Sequence, residues 1–299
     1  MKIERKPPWL QKKANMKEQA QMRRLLGELD LNTVCQQALC PNIGECFSCG
    51  QATFLILGKD CTRQCSFCNV EKGGIPQPPD TDEPRRVAEA VLRLGLSHVV
   101  VTSPTRDDLP DGGAEQYAAT VRAVRQASPL TTVELLIPDF QGDRSALATL
   151  LEAPPDILAH NVETVPRLYG VRSGADYGRS LELLRRVAQG WPKIPLKSGI
   201  MLGLGETPEE VRAVLGDLRS AGCSYLSIGQ YLAPSRRHQS VVEFVRPELF
   251  DSLRQYARTL GFSHVEAGPY VRSSYHAADY TKKETGIFPA GPVHPGNPS

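Results

Sequence analysis

Short apolar runs recur along the chain with amphipathic segments between them. TFLIL (53–57), HVVVT (98–102), TVELLIP (132–138) and DILAH (156–160) are the first four. KSGIMLGL (197–204), YLSIGQYL (225–232) and HVEAG (264–268) continue the series. Between them EPRRVAEAVLRLG, AEQYAATVRAVRQA, GRSLELLRRVAQG, PEEVRAVLGDLRSAG and PELFDSLRQYARTLG have helical periodicity, and several end at Gly, a common helix stop. Continuously apolar strands alternating with helices predict an α/β fold, a parallel sheet covered by helices. About six such units suit a complete or partial barrel, whose active site gathers at the C-terminal ends of the strands.

The 299 residues can form one barrel-sized domain, and 40% apolar content is enough for a core that does not depend on disulfides. A net charge of +2 gives no argument for nucleic acid. No run is apolar for long enough to span a membrane. The start, MKIERKPPWL, reads as neither a signal peptide nor a transit peptide, so a cytoplasmic location is expected. Residues 1 to about 30 are basic and partly helical in pattern, either a solvated helix face or a docking surface. Residues 31 to 50 read as loop, GGIPQPPDTDEP (73–84) as a Pro-rich connection, and GIFPAGPVHPGNPS as a poorly ordered tail.

Eight cysteines in such a chain point to metal or catalysis rather than disulfides. Cys61, Cys65 and Cys68 lie in CTRQCSFC, directly after the first strand. Three thiolates on one short loop can hold three corners of a four-iron cluster and leave the fourth iron open. A zinc loop completed by a distant ligand is the alternative, but its spacings are usually paired. Cys35, Cys40 and Cys46, in CQQALCPNIGEC, form a second trio and suggest a second cluster with one unusual ligand. Cys49 and Cys223 remain, and Cys223 at the start of a strand reads as a small buried apolar residue.

CxxxCxxC with Phe67 before its last cysteine resembles the radical S-adenosylmethionine superfamily. The paired trios, together with RKPPWL, RDDLPDGGA (106–114), HNVETVPRLY (160–169), KSGIMLGLGET (197–207), GQYLAPSRRH (229–238) and RSSYHA (272–277), resemble the lipoyl synthase family over about residues 5 to 280. The resemblance implies a partial (β/α)6 barrel over 51–270. Residues 1–50 would be an N-terminal extension with an auxiliary cluster loop, and 271–299 a C-terminal extension with RSSY. It implies two [4Fe-4S] clusters. Cys61, Cys65 and Cys68 would hold the one that binds S-adenosylmethionine. Cys35, Cys40, Cys46 and Ser274 would hold the auxiliary one, and Cys49 would be no ligand. The implied reaction inserts sulfur at C6 and C8 of an octanoyl group on a carrier-domain lysine, the auxiliary cluster giving up its sulfur. The implied partners are octanoylated lipoyl-carrier domains (dehydrogenase-complex acyltransferase subunits or the glycine cleavage H protein) and an electron donor, with no nucleic acid and no membrane.

Contacts to S-adenosylmethionine are expected at Phe67, Gly112, Gly113, Asn161, Glu163, and Arg172 or Lys197. Each has a plainer alternative: core packing for Phe67, an ordinary turn for the glycines, a salt bridge for the charged residues. Unactivated C–H bonds give acid–base residues no work, so His160, His238, His264 and His276 are expected to be structural or to stand behind the site. Competing readings are another radical sulfur inserter resembling biotin synthase, a non-catalytic iron–sulfur electron-transfer or storage protein, and a zinc-stabilised nucleic-acid binder. Near-neutral charge and few aromatics disfavour the last.

Overall fold

The computed structural model describes residues 6–10, 19–48, 51–275 and 277. Helix α1 (Gln19–Glu28) leads into β1 (Asn32–Thr33), α2 (Val34–Gln37) and α3 (Ile43–Ser48). The segment expected to be loop therefore carries two short helices. Thr33 caps α2 by accepting from the Gln36 N–H. Strand β2 (Thr53–Leu55) follows, then the small parallel pair β3 (Asp60–Cys61) and β4 (Glu71–Lys72) that brackets the second cysteine loop.

From there strand and helix alternate: α4 (Glu83–Leu94), β5 (His98–Thr102), α5 (Ala114–Ala127), β6 (Thr132–Leu136), α6 (Arg144–Leu151) and β7 (Ile157–Ala159). Helix α7 (Tyr177–Gly190), β8 (Leu196–Leu202), α8 (Pro208–Ser220), β9 (Cys223–Gln230), α9 (Pro247–Thr259) and β10 (His264–Gly268) follow, with short 3-10 turns at Pro8–Leu10, Phe140–Gly142 and Pro166–Val171. The main sheet has the order β1-β2-β5-β6-β7-β8-β9-β10. Every neighbouring pair from β2 to β10 is parallel, and only β1 joins antiparallel, at the edge. Each of the strands β2, β5, β6, β7, β8 and β9 is followed by a helix, so the expected partial barrel is present. The sheet does not close, because β1 and β10 stand at its two ends.

Alternation along the strands assigns the two faces. Phe54, Val99, Val101, Val133, Leu135, Leu226 and Ile228 are buried in the apolar core. The intervening positions carry polar groups: Thr53, His98, Glu134, Lys197, Ser227 and Glu266. A lumen face rich in polar side chains, backed by an apolar layer under the helices, suits a barrel that encloses chemistry.

Candidate active site

The loop after β2 is held by its own sequence. In CTRQC, the Thr62 N–H and hydroxyl both donate to the Thr105 carbonyl, at 3.0 and 2.9 Å. Arg63, with its side chain 6% exposed, forks onto Asp107 at 2.7 and 3.0 Å and donates to Asp139 at 2.5 Å. Those two carboxylates raise the Arg63 pKa despite burial, so the cation is permanent. Asp107 belongs to RDDLPD after β5, and Asp139 follows β6. One arginine thus ties the cysteine loop to the C-terminal ends of two further strands. The RDDLPD motif was legible in the sequence, but which arginine it serves was not.

Cys61, Cys65 and Cys68 are free thiols, partly buried. The Arg63 N–H points at the Cys61 sulfur, 3.4 Å away. Burial pushes Cys68 up to about 11, offset in part by a backbone hydrogen bond from Val70. Burial also raises Cys65, against the charge of Arg172. Backbone N–H groups aimed at sulfur, a nearby cation and mutual proximity fit thiolates made by iron binding, since ligation displaces the thiol protons. The donor set therefore fits a cluster. Phe67 is half-buried beside it.

Asn161, Glu163 and Arg172 meet near Cys65. Past β7 the backbone bulges. Glu163 takes a left-handed φ of 65° and rejoins β8, donating to the Gly199 carbonyl at 3.0 Å while its own carbonyl accepts from Met201 at 2.8 Å. A non-glycine residue held in this region is a local constraint that re-aims a side chain. Asn161 Nδ2 donates to Glu163 Oε1 at 3.0 Å and to Ser273 Oγ at 2.6 Å. Among the described residues its buried Oδ1 has no partner. Burial raises the Glu163 pKa. Arg172 donates to the Asn161 and Val162 carbonyls at 3.1 and 3.3 Å and stacks over the Tyr169 ring, 5.1 Å from its centroid.

Lys197 lies elsewhere. It is fully buried, and its ammonium sits 2.9 Å from Glu134, which also meets His98 Nε2 at 3.2 Å. Burial pushes Glu134 up, but Lys197 and His98 more than offset it, and its pKa falls below the ordinary carboxylate value. The ion-pair alternative for Lys197 is thus the arrangement seen, buried rather than at the surface. Gly112 and Gly113 have φ of 61° and 88° and form the turn into α5. A Cβ at Gly112 would come within 2.8 Å of Phe140, and one at Gly113 would collide with the Leu57 side chain. Their lack of side chains is therefore required by packing.

The other trio meets the C-terminal motif. Cys35 and Cys46 line one cavity with Gln51, Thr53, His98 and Ser274. Burial pushes Cys35 up to about 11, partly offset by the neighbouring Thr53. Arg272 feels the charge of Cys40, and Tyr275 that of Cys46. Asn42, between Cys40 and Cys46, donates to the Tyr270 carbonyl at 2.7 Å, 228 residues away. Thr53 donates to the Ser274 hydroxyl at 2.7 Å. Two thiols and one hydroxyl line that cavity, with Cys40 on the same short loop, and this donor set fits a cluster with one oxygen ligand. Among the described residues, no three His, Cys, Asp or Glu side chains converge on a point that a single ion would occupy.

The remaining described candidates make contacts within the fold. His160 bonds the Ile137 carbonyl at 2.8 Å and Ser180 at 3.0 Å, and burial lowers its pKa to about 4. His238 meets Ser235, and His264 meets Glu266. Cys223 is fully buried at the head of β9. Cys49 and His276 lie outside the described residues.

Residues 55–218 match the Radical SAM superfamily. A lipoyl synthase of Trichlorobacter lovleyi is 73% identical over 280 residues, covering 94% of this chain and 100% of that protein. One of Geobacter metallireducens is 66% identical over 280 residues, covering 94% and 99%. The structure of Streptococcus suis SuiB bound to S-adenosylmethionine superposes with a TM-score of 0.57 at 12% identity, covering 84% of this chain and 60% of that one, and so shares the fold alone. The matching superfamily region spans the cysteine loop and the β7 bulge, and the full-length relatives extend the match across both cysteine trios. By these relationships the chain belongs to the lipoyl synthase family of radical S-adenosylmethionine enzymes, which insert sulfur with the help of [4Fe-4S] clusters.

Proposed function

We propose a division of labour between the two cysteine trios. Cys61, Cys65 and Cys68 would hold the cluster that binds S-adenosylmethionine. Cys35, Cys40 and Cys46, with Ser274 as fourth ligand, would hold the auxiliary cluster. When bound, the clusters supply the electron that cleaves S-adenosylmethionine and the sulfur that replaces hydrogen at C6 and C8 of the octanoyl chain. One observation carries this reading: Ser274 lines one cavity with Cys35 and Cys46, while Asn42, between Cys40 and Cys46, ties their loop to Tyr270 just before RSSY at 2.7 Å.

The chain's own residues then bind, orient and exclude water. Arg63 fixes the loop that carries Cys61, Cys65 and Cys68. Asn161, Glu163 and Arg172 offer a carboxylate, an amide and a guanidinium for the ribose hydroxyls and carboxylate of S-adenosylmethionine. Gly112 and Gly113 supply the left-handed turn that sets the backbone after β5, and Phe67 stands beside the Cys65 and Cys68 loop. Lys197 supports the lumen from below through Glu134. No side chain is asked to move a proton from carbon. The reading divides the chain into an N-terminal extension to residue 50, the barrel over 51–270 and a C-terminal extension from 271.

The acyl arm arrives on a carrier domain, an acyltransferase subunit of a dehydrogenase complex or the glycine cleavage H protein, in the cytoplasm, and a separate donor supplies electrons. Arg236 and Arg237 are exposed on the segment whose Gln239 N–H meets the Ser66 carbonyl of the cysteine loop, at 2.9 Å. They suit an acidic carrier surface at the barrel mouth. Lys6, Arg23 and Arg24 are the described part of the basic N-terminal segment; Lys2, Arg5, Lys12, Lys13 and Lys17 lie outside the described residues. Among the described residues no helix is long and apolar enough to cross a membrane. Anaerobic incubation of reconstituted protein with reductant, S-adenosylmethionine and an octanoylated carrier tests the whole reading. A lipoylated carrier with 5′-deoxyadenosine is expected. 5′-Deoxyadenosine without any sulfur-containing product from intact protein would defeat it.

A further inference from the structure

Thr53 begins the strand TFLIL, yet its hydroxyl does not face the apolar core. It lines the cavity of Cys35, Cys46 and Ser274 and is 3% exposed. A buried hydroxyl is costly unless it is bonded. This one donates to Ser274 Oγ at 2.7 Å, across 221 residues, in the cavity that Cys35 also lines. The two sides of that contact differ in rigidity. Thr53 is registered against Val100 in the parallel ladder between β2 and β5. Ser274 sits in a turn of the C-terminal extension, outside every strand and helix. The strand residue can therefore act as a fixed post for the turn residue. Valine would fill the same space and suit a strand as well, so packing alone does not account for the hydroxyl.

We propose that Thr53 is the positioning residue of the auxiliary site: its hydroxyl holds the Ser274 oxygen at the cavity beside Cys35, where that oxygen can reach iron. The proposal rests on the reading of Ser274 as fourth ligand. On this view the oxygen ligand is kept in place by a neighbour on the barrel rather than by its own flexible turn. Loss of the Thr53 hydroxyl leaves three thiolates to hold the cluster and frees the fourth corner.

The test uses the full chain, reconstituted anaerobically, with S-adenosylmethionine present to cover the open iron of the other cluster. The rate at which one iron passes to a chelator under mild oxidation is followed by the [3Fe-4S] signal in electron paramagnetic resonance. Thr53→Val should release that iron roughly two- to tenfold faster than the native chain, the effect of one hydrogen bond. Thr53→Ser should restore the native rate. Ser274→Ala should be fast, and adding Thr53→Val to it should change nothing more. Native-rate release from Thr53→Val beside fast release from Ser274→Ala would overturn the Thr53 proposal and leave the Ser274 reading standing. Native-rate release from Ser274→Ala would instead defeat the ligand reading beneath it. A double variant faster than Ser274→Ala would also overturn the proposal, because Thr53 would then act independently of Ser274. If Thr53→Val incorporates no auxiliary cluster, Thr53→Ala takes its place. Failure of both, with Ser274→Ala still loaded, counts against positioning.

Discussion

Ser273 and Asn161 are joined by a 2.6 Å hydrogen bond that spans 112 residues. It links the C-terminal motif to the bulge after β7. Because the Asn161 amide nitrogen is committed to Ser273 and Glu163, its oxygen is left as an open buried acceptor. That orientation suits a hydroxyl donor such as a ribose. Ser273→Ala should therefore weaken S-adenosylmethionine binding roughly fivefold, the value of one orienting hydrogen bond, with iron content unchanged. Equilibrium binding to the reconstituted protein measures it, and unchanged affinity would remove Ser273 from the site.

The two cysteine trios should fail differently. Cys61→Ala, Cys65→Ala or Cys68→Ala should abolish S-adenosylmethionine cleavage. Cys35→Ala, Cys40→Ala or Cys46→Ala should spare cleavage and stop sulfur insertion. Native protein should bind about eight irons, as two four-iron clusters require, and either trio alone about half that. Equal loss of cleavage in both sets, with the remaining cluster intact by spectroscopy, would refute the division.

Lys197 separates stability from binding. Its partner Glu134 is as buried as Lys197 itself. Lys197→Met leaves that carboxylate with His98 alone, and breaking a buried pair costs about 3–5 kcal/mol. A markedly lower unfolding temperature is expected, with S-adenosylmethionine affinity within about twofold of native for the surviving fold, well under the effect of a lost charged contact. A large affinity loss without destabilisation would return Lys197 to the binding site.

His160 should make the fold acid-sensitive. Its folded pKa, lowered to about 4 by burial, lies below the ordinary value of 6.5. A depressed histidine contributes stability above its unfolded pKa and loses it as pH falls toward the folded value. This one group should cost about 2 kcal/mol between pH 7 and pH 5. The drop in unfolding temperature over that interval should shrink in His160→Gln. An equal drop in both proteins would assign the acid sensitivity elsewhere.

The strand and helix series was legible because its signal is local. HVVVT, KSGIMLGL and YLSIGQYL lie between amphipathic segments, several of which end at Gly, and period alone separates the two kinds of element. The six candidate cluster cysteines were legible for the same reason, since each trio sits within one short loop. Family resemblance added Ser274, which no spacing could reach. Tertiary structure decided what the period of the chain leaves open. It set which face of β8 turns inward, and so sent Lys197 to Glu134. It paired Arg63 with Asp107 and Asp139 from two other strands, and it put the Thr53 hydroxyl against Ser274 in the cavity that Cys35 also lines. These pairings span tens to hundreds of residues. They exist only because a parallel sheet brings distant strand ends together and the C-terminal extension crosses them, a geometry that local propensity does not encode.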